Sequence, residues 1–499
     1  MNNLWKKKSA STPAPQIRKV YIPDDPKSKP APLKSKIREN QALAQRQRDA
    51  SAGSSRNHSS PSTSRDSTRL QVRTKRKALR QKSPSTQHFS DDDDEDDDDD
   101  NDANGDGVSS PAASEKRQRR ENSGPVDLKR KLRSRKAFSE EEGTSFAMIH
   151  AADVISDERK AKLGGSKDSS DDIIVELKYP NASQRERFKL VTARDEIDAY
   201  EEIIKIAEIV TDVYLTPEQA KPFKDQNGGY IRRLERARNM KQPKDFKEAV
   251  KSYNAAIDNL NKGGILAENL DSKHHMPLVM VQRILGQVYD RVVSPKVESL
   301  RKYENGSDNV YGELLPSFVH DLLTEVGLKS DQVFVDLGSG VGNVVFQAAL
   351  EFGCESWGCE MMQNAYELAD AQKKEFGARC RLWGVAPGRV HLQGANFLES
   401  KPIHEAMKQA DVILVNNHVF TPQTNRSLVD MFLDLKDGCK IISMKNFVPD
   451  DHVAKRNADD PVNILDVIKK GHYYAGSVSW TDDPERYYIA KKRSFAEAE

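Results

Sequence analysis

The chain has 499 residues, 36% hydrophobic and 31% charged, with a mean hydropathy of −0.75. That length allows two or three domains, but so low an apolar fraction excludes a fold that uses the whole chain. The 78 Lys/Arg and 77 Asp/Glu nearly cancel overall, yet residues 1–140 hold 31 against 21 and residues 141–499 hold 47 against 56.

Residues 1–140 carry four aromatics and are rich in Ser, Pro, Gln and Ala. Such a stretch lacks the apolar surface to offset chain entropy, and a disordered tail is expected. Twelve of its acids fall in one tract, Asp91 to Asp106, so the rest of the tail is strongly basic. "KRQRR" at 116–120 and "KRKLRSRK" at 129–136 read as a divided nuclear-import signal or as nucleic-acid contacts. The N-terminus has no apolar core, and no run approaches the roughly 18 apolar residues of a membrane span, so an intracellular protein without a membrane partner is expected.

Apolar residues recur at helical intervals over 194–214, 243–262 and 277–302, broken by "NGG", "NKGG" and proline, which predicts a helical lobe over 175–308. From Glu313 the pattern alternates: strands are expected at 332–336, 355–360, 389–394, 411–416 and 439–445, with helices between, implying a mostly parallel sheet covered on both faces. "YYAGSVSWTDD" and "ERYYIAKK" read as two final strands joined by an Asp-Asp-Pro turn. Cys354, Cys359, Cys380 and Cys439 lack metal-ligand spacing and suit small core positions in a reducing compartment, so no metal is expected.

The chemistry concentrates in "VFVDLGSGVGNVVFQAALEFGCESWGCE", 333–360. Gly338, Gly340 and Gly342 sit where a buried strand turns into a helix, and their missing Cβ atoms let a ligand approach the backbone and the helix N-terminus. The next strand ends at Glu360, where a carboxylate can accept hydrogen bonds from a ribose diol. A dinucleotide fingerprint wants G-x-G-x-x-G. Here the third glycine comes one residue early, Asn343 stands in its place, and Asp336 precedes the first glycine by two. That D-x-G-x-G-x-G arrangement resembles the first motif of class I S-adenosylmethionine-dependent methyltransferases.

With "DLGSGVGN", the motifs "NVYGELLP" (309–316), "VILVNNHVF" (412–420) and "GSVSWT" (476–481) followed by Tyr487 and Tyr488 resemble the disruptor-of-telomeric-silencing family in its fungal branch. These are the non-SET methyltransferases of lysine 79 of histone H3, and the resemblance spans about 175–492. It implies an α/β, class I seven-stranded methyltransferase fold over 309–492, behind an N-terminal helical lobe and a long disordered tail. It also implies S-adenosylmethionine as cofactor. The family's cofactor contacts carry over to Tyr311, Gly312, Glu313 and Leu314; to Phe334, Val335, Asp336, Leu337, Gly338, Ser339, Gly340, Val341, Gly342 and Asn343; to Glu360; and to Asn396 and Phe397. Some relatives have Asp where this chain has Asn396. Glu313 is expected at the ligand's amino-acid end, Glu360 at the ribose, and Phe397 and Asn396 at adenine.

Lysine methylation is an in-line displacement that needs a neutral, aligned amine. Asn416 is expected to position that amine, with Tyr487 and Trp480 shaping its channel, Asn417 bracing the loop and His418 at the surface or on the channel wall. The resemblance further implies a nuclear chromatin regulator with roles in telomeric silencing and the DNA-damage response. Its partners would be the nucleosome through histone H3, with H4 and ubiquitinated H2B, and DNA through the basic tail; the enzyme is read as a monomer. Two alternatives stand beside it. A methyltransferase of nucleic-acid amino groups would normally continue the Asn motif with Pro-Pro and an aromatic, and "NNHVF" has no proline. An inactive chromatin binder fits poorly with an intact Asp336, glycine loop and Glu360.

Overall fold

In the computed structural model the described residues are 126–138, 146–154, 173–181, 184–190, 197–301, 312–453 and 459–494, all within one unit, Arg80–Glu499. The expectations for residues 1–125, including the acidic tract and the cluster at 116–120, lie outside the described residues, as does Tyr311.

The lobe opens with an antiparallel hairpin, β1 (Ile174–Lys178) and β2 (Arg185–Lys189), which the helical reading of this region missed. Six helices follow: α1 (Ala199–Tyr214), α2 (Pro217–Lys224), α3 (Tyr230–Asn239), α4 (Pro243–Lys262), α5 (Ile265–Asp271) and α6 (Leu278–Val292). Their starts are chemically marked. Asp198 accepts from the N–H groups of Tyr200 and Glu201, and Thr216 forms a capping box with Gln219 ahead of Pro217. The buried faces of these helices share one core with Phe346, Leu350, Phe376 and Trp383 of the C-terminal region, so the lobe is packed onto the sheet domain.

A buried ionic knot reinforces that junction. Glu186 on β2 accepts from Arg291 of α6 at 2.7 Å, from Arg379 of the later helix α9 (Gln363–Trp383), and from the Tyr179 hydroxyl at 2.7 Å. Burial alone would raise its carboxyl, but Arg291 and Arg379 hold it down at about 2.

After α7 (Pro316–Glu325) the chain alternates through β3 (Val333–Leu337), α8 (Asn343–Gln347, widening into a π turn over Ala348–Phe352), β4 (Glu355–Glu360), α9, β5 (Val390–Gly394), α10 (Lys401–Gln409), β6 (Val412–Val415), α11 (Pro422–Phe432) and β7 (Lys440–Ser443). β8 (Leu465–Tyr473) and β9 (Glu485–Lys492) complete a seven-stranded sheet of order β5-β4-β3-β6-β7-β9-β8. The first five are parallel, and β9 runs antiparallel between β7 and β8. This is the expected class I methyltransferase sheet. Residue alternation sends Phe334, Val412 and Leu414 to one face and Val335, Leu337, Ile413 and Val415 to the other.

Two boundaries are corrected. The penultimate strand is Leu465–Tyr473, and "YYAGSVSWTDD" is mainly the connection that follows it. This connection is held against the segment before α7: Ser479 N–H donates to the Glu313 carbonyl at 2.9 Å, and Leu315 N–H donates to that of Ser477 at 2.9 Å.

The tail, expected to reach residue 140, already has a seat on the domain at 126–138. Leu132 and Ala137 are buried. Arg130 donates to the carbonyls of Leu350 (2.8 Å) and Ala386 (2.7 Å), and burial pulls its guanidinium down to about 10. A Cβ on Gly353 would lie 2.5 Å from Arg130 Cδ, so that glycine leaves the groove the arginine fills. The cluster at 129–136 is thus part strap and part surface, with Lys131, Arg135 and Lys136 exposed.

Candidate functional site

Counting from β3, the chain adds β4 and β5 on one side and β6 and β7 on the other, so the order reverses at β3, where α/β sheets hold ligands beyond their carboxyl ends. Registration of Leu337 with Cys359 and Val415 brings the glycine loop, Glu360 and Asn416 to that edge. A cavity of about 310 Å³ opens there, lined among others by Gly312, Glu313, Leu314, Asp336, Gly338, Ser339, Gly340, Val341, Asn343, Glu360, Phe397, Asn416, His418 and Trp480.

The loop's shape follows from its composition. Gly338, Gly340 and Gly342 have φ of 85°, 55° and 87°, a region that side-chain-bearing residues rarely adopt. Gly340 N–H donates to Glu360 Oε2 at 2.8 Å, and Met362 N–H donates to Oε1 at 2.7 Å, fixing that carboxylate at the mouth. Burial, then the neighbouring Glu360, push Asp336 up to about 8; burial also raises Glu360. Two desolvated carboxyls side by side form a site whose charge a cationic ligand relieves.

Glu313 arrives from the opposite wall and is hydrogen-bonded to Tyr289 of α6; burial and this carboxylate raise the Tyr289 phenol. The lobe therefore orients a site residue. Leu300, in the turn after α6, also lines the cavity, and Asn364 donates to the Ser299 carbonyl at 2.8 Å.

On the other side Asn416 directly follows β6, with its Oδ1 buried and lacking a partner among the described residues. Asn417 braces the loop as expected: its Oδ1 accepts from Met444 N–H (3.0 Å) and Lys445 N–H (2.7 Å), and its Nδ2 donates to Asn425 Oδ1 (3.0 Å). Trp480 lies on Gly312, where a Cβ would approach Cε3 to 2.7 Å, and its ring is 5.3 Å from that of His418. His418 Nδ1 is 3.4 Å from Glu485 Oε2.

Several expected contacts fall elsewhere. Phe334, Val335 and Leu337 are fully buried sheet residues that do not line the cavity. Gly342 does not line it either; it caps α8, where a Cβ would lie 2.9 Å from Phe346. Asn396 turns away: its Oδ1 accepts from Leu398 N–H at 3.1 Å, closing a local turn. Tyr487 is corrected most clearly. Its hydroxyl donates to Glu325 of α7 at 2.6 Å, and its ring packs on Phe318, so it belongs to the core beneath the β8–β9 connection.

Val344, Met361, Met362, Ala365, Leu414, Val419 and Phe420 line the cavity without having been expected to. Phe420 closes the "NNHVF" motif, and its ring lies 6.0 Å from Phe397 at 31°, giving two aromatic walls. The donor set suits S-adenosylmethionine: acidic groups for an ammonium and a ribose, aromatic walls for adenine, and an unpartnered amide oxygen beyond.

A model of the family described as "Histone methylation protein DOT1" matches residues 289–491. Over 383 residues the chain is 48% identical to a protein of Emericella nidulans, covering 76% of each. It is 51% identical over 385 residues to one of Gibberella zeae, covering 76% of this chain and 77% of that one. Both relatives are named "Histone-lysine N-methyltransferase, H3 lysine-79 specific". Among solved structures, a putative class I S-adenosylmethionine-dependent methyltransferase of Listeria monocytogenes is similar at a TM-score of 0.31 and 9% identity, over 60% of this chain and 90% of that one. By the extent of its identity to these fungal proteins, the chain belongs to the DOT1 family of histone methylation proteins.

Proposed function

We propose that the protein is a histone-lysine N-methyltransferase that uses S-adenosylmethionine to methylate lysine 79 of histone H3 in nucleosomes. The observation that carries this reading is the cavity itself. It brings Glu313, Asp336 and Glu360 together with an unpartnered Asn416 amide oxygen, Trp480 and His418, in a chain of this family.

S-adenosylmethionine, when bound, supplies a methyl group on a positively charged sulfur. Asp336 and Glu313 would hold its amino-acid end and Glu360 its ribose, while Phe397 and Phe420 would flank the base. The substrate ammonium, with a pKa near about 10.4 in water, has no lone pair to offer. Trp480 and His418 would take it out of water, which disfavours its charged form. The Asn416 oxygen accepts from the amine N–H and fixes the direction of the nitrogen lone pair. Alignment of this kind is worth roughly 7–11 kcal/mol in favourable cases, so no dedicated base is required.

A nuclear role in chromatin regulation, telomeric silencing and the DNA-damage response belongs to the same proposal. So do contacts to histone H4 and ubiquitinated H2B, a monomeric enzyme, and attraction of the basic residues before 126 to nucleosomal DNA. The test offers recombinant nucleosomes, free histones and bare DNA to the purified enzyme with labelled S-adenosylmethionine. Label on histone H3, strongest with nucleosomes, supports the reading; label on DNA alone contradicts it.

A further inference from the structure

The described part of the molecule is embedded in a net acidic sequence region, yet residues 221–244 carry eight Lys/Arg and only two Asp/Glu. They form the end of α2, all of α3 and the start of α4. Ile231, Leu234 and Ala237 of α3 are buried, while Arg232, Arg233, Arg236, Arg238 and Lys241 are exposed.

Local stability does not account for these charges. Arg236 and Arg238 sit near the carboxyl end of α3, where the helix dipole favours cations, but Arg232 and Arg233 lie in its first turn, where the dipole disfavours them and no acid is present. Ion pairing takes up little of the charge: Arg232 reaches Glu235 at 3.3 Å and Lys224 pairs with Asp212 at 2.5 Å. Among the described residues, Lys221, Arg236, Lys241 and Lys244 have no carboxylate partner within 4 Å. Arg233 lies 4.8 Å over the Tyr230 ring, which braces its guanidinium on the surface. Lys241, at φ 53°, is the one non-glycine residue with positive φ among those described. The position after a helix end usually goes to glycine, and here it presents an ammonium.

We propose that this face of the lobe is a docking surface for duplex DNA, gripped through its phosphates. Guanidinium forks match phosphate oxygens in pairs. The face is rich in exposed cations, and its only exposed large apolar side chain is Met240, so it lacks the apolar anchors that a peptide partner needs. On the nucleosome of the proposed reaction, to which this inference is tied, it would engage DNA beside the histone surface, independently of the tail.

The test compares the full chain with Arg233→Gln/Arg236→Gln/Lys241→Gln and with a control that loses three charges elsewhere, Lys374→Gln/Lys401→Gln/Lys408→Gln. Binding to a short bare duplex is measured across a salt series. The patch variant is expected to bind roughly ten- to hundred-fold more weakly near physiological salt, with a log–log salt slope flatter by about 2 to 3. Its affinity for S-adenosylhomocysteine should stay at the parent value, showing that the fold is kept. Parent-like duplex affinity and slope, or an equal loss in the control, overturns the proposal. Intact duplex binding with weakened nucleosome binding also overturns it, assigning the face to an acidic protein surface. Failure on the duplex leaves the enzymatic reading standing; that reading fails if the parent protein does not methylate lysine 79 of histone H3.

Discussion

Asp336 is held at about 8 by burial and by Glu360, against about 4 for an exposed aspartate. The unfolded chain ionises this carboxyl above about pH 4 and the folded protein resists until about pH 8, so its contribution to stability is present in acid and is lost as pH rises through that window. A ligand that brings an ammonium beside Asp336 ionises it and releases a proton. Titration calorimetry of S-adenosylhomocysteine at pH 7, in buffers of different ionisation enthalpy, should detect that release, fading above about pH 8; heats independent of buffer would count against it. Asp336→Asn should lose cofactor affinity yet melt higher than the parent at pH 8 in thermal scans without ligand. At the facing wall, Asn416→Ala should lower kcat by roughly 10- to 100-fold with cofactor affinity nearly unchanged; equal losses in both would place Asn416 in the cofactor site. The acids and glycines of the loop were legible because strand-end carboxylates and alternating glycines have few other uses. Phe334, Val335 and Leu337 were misassigned because a motif names consecutive residues, whereas a strand buries its side chains on either face. Tyr487 and Asn396 were misassigned because their polar atoms have local partners, Glu325 and Leu398, that spacing does not reveal. Leu300 and Met361 carry no chemical signature and reach the cavity only through the fold.

The five parallel strands were readable as elements, since short apolar runs alternate with helical stretches. β8 was not, because "LDVIKKGHY" carries lysines on the exposed residues of an edge strand and reads as polar. The helical lobe was read without its hairpin for a related reason: β1 and β2 are five residues each, and their charges alternate with buried Val175, Leu177, Glu186 and Phe188. The strap at 126–138 was hidden by composition, as basic residues outnumber the buried Leu132 and Ala137. A chain beginning at residue 126 should melt at the parent temperature. One beginning at 141 should melt several degrees lower, since burying a leucine is worth about 1.5–3 kcal/mol and the carbonyls that Arg130 serves would lose their donor. Equal melting temperatures for the two truncations would show that the strap adds nothing to the fold.

Across the whole molecule, charge is partitioned and the cofactor cavity draws on both parts of the folded region. Glu313 and Tyr289, Leu300 and Ser299 bring the lobe into a site otherwise built on the sheet edge, and the Glu186 knot locks the two together. In the proposed reaction this cavity delivers a methyl group to one lysine of a histone within a nucleosome. Mass spectrometry of histone H3, after incubation of the enzyme and S-adenosylmethionine with nucleosomes, tests it most directly. One nucleosome set carries the native histone, and the other has lysine 79 of H3 replaced by arginine. Methylation confined to lysine 79 in the first set, with none in the second, is the predicted result; methylation of other lysines that persists in the arginine set would contradict it.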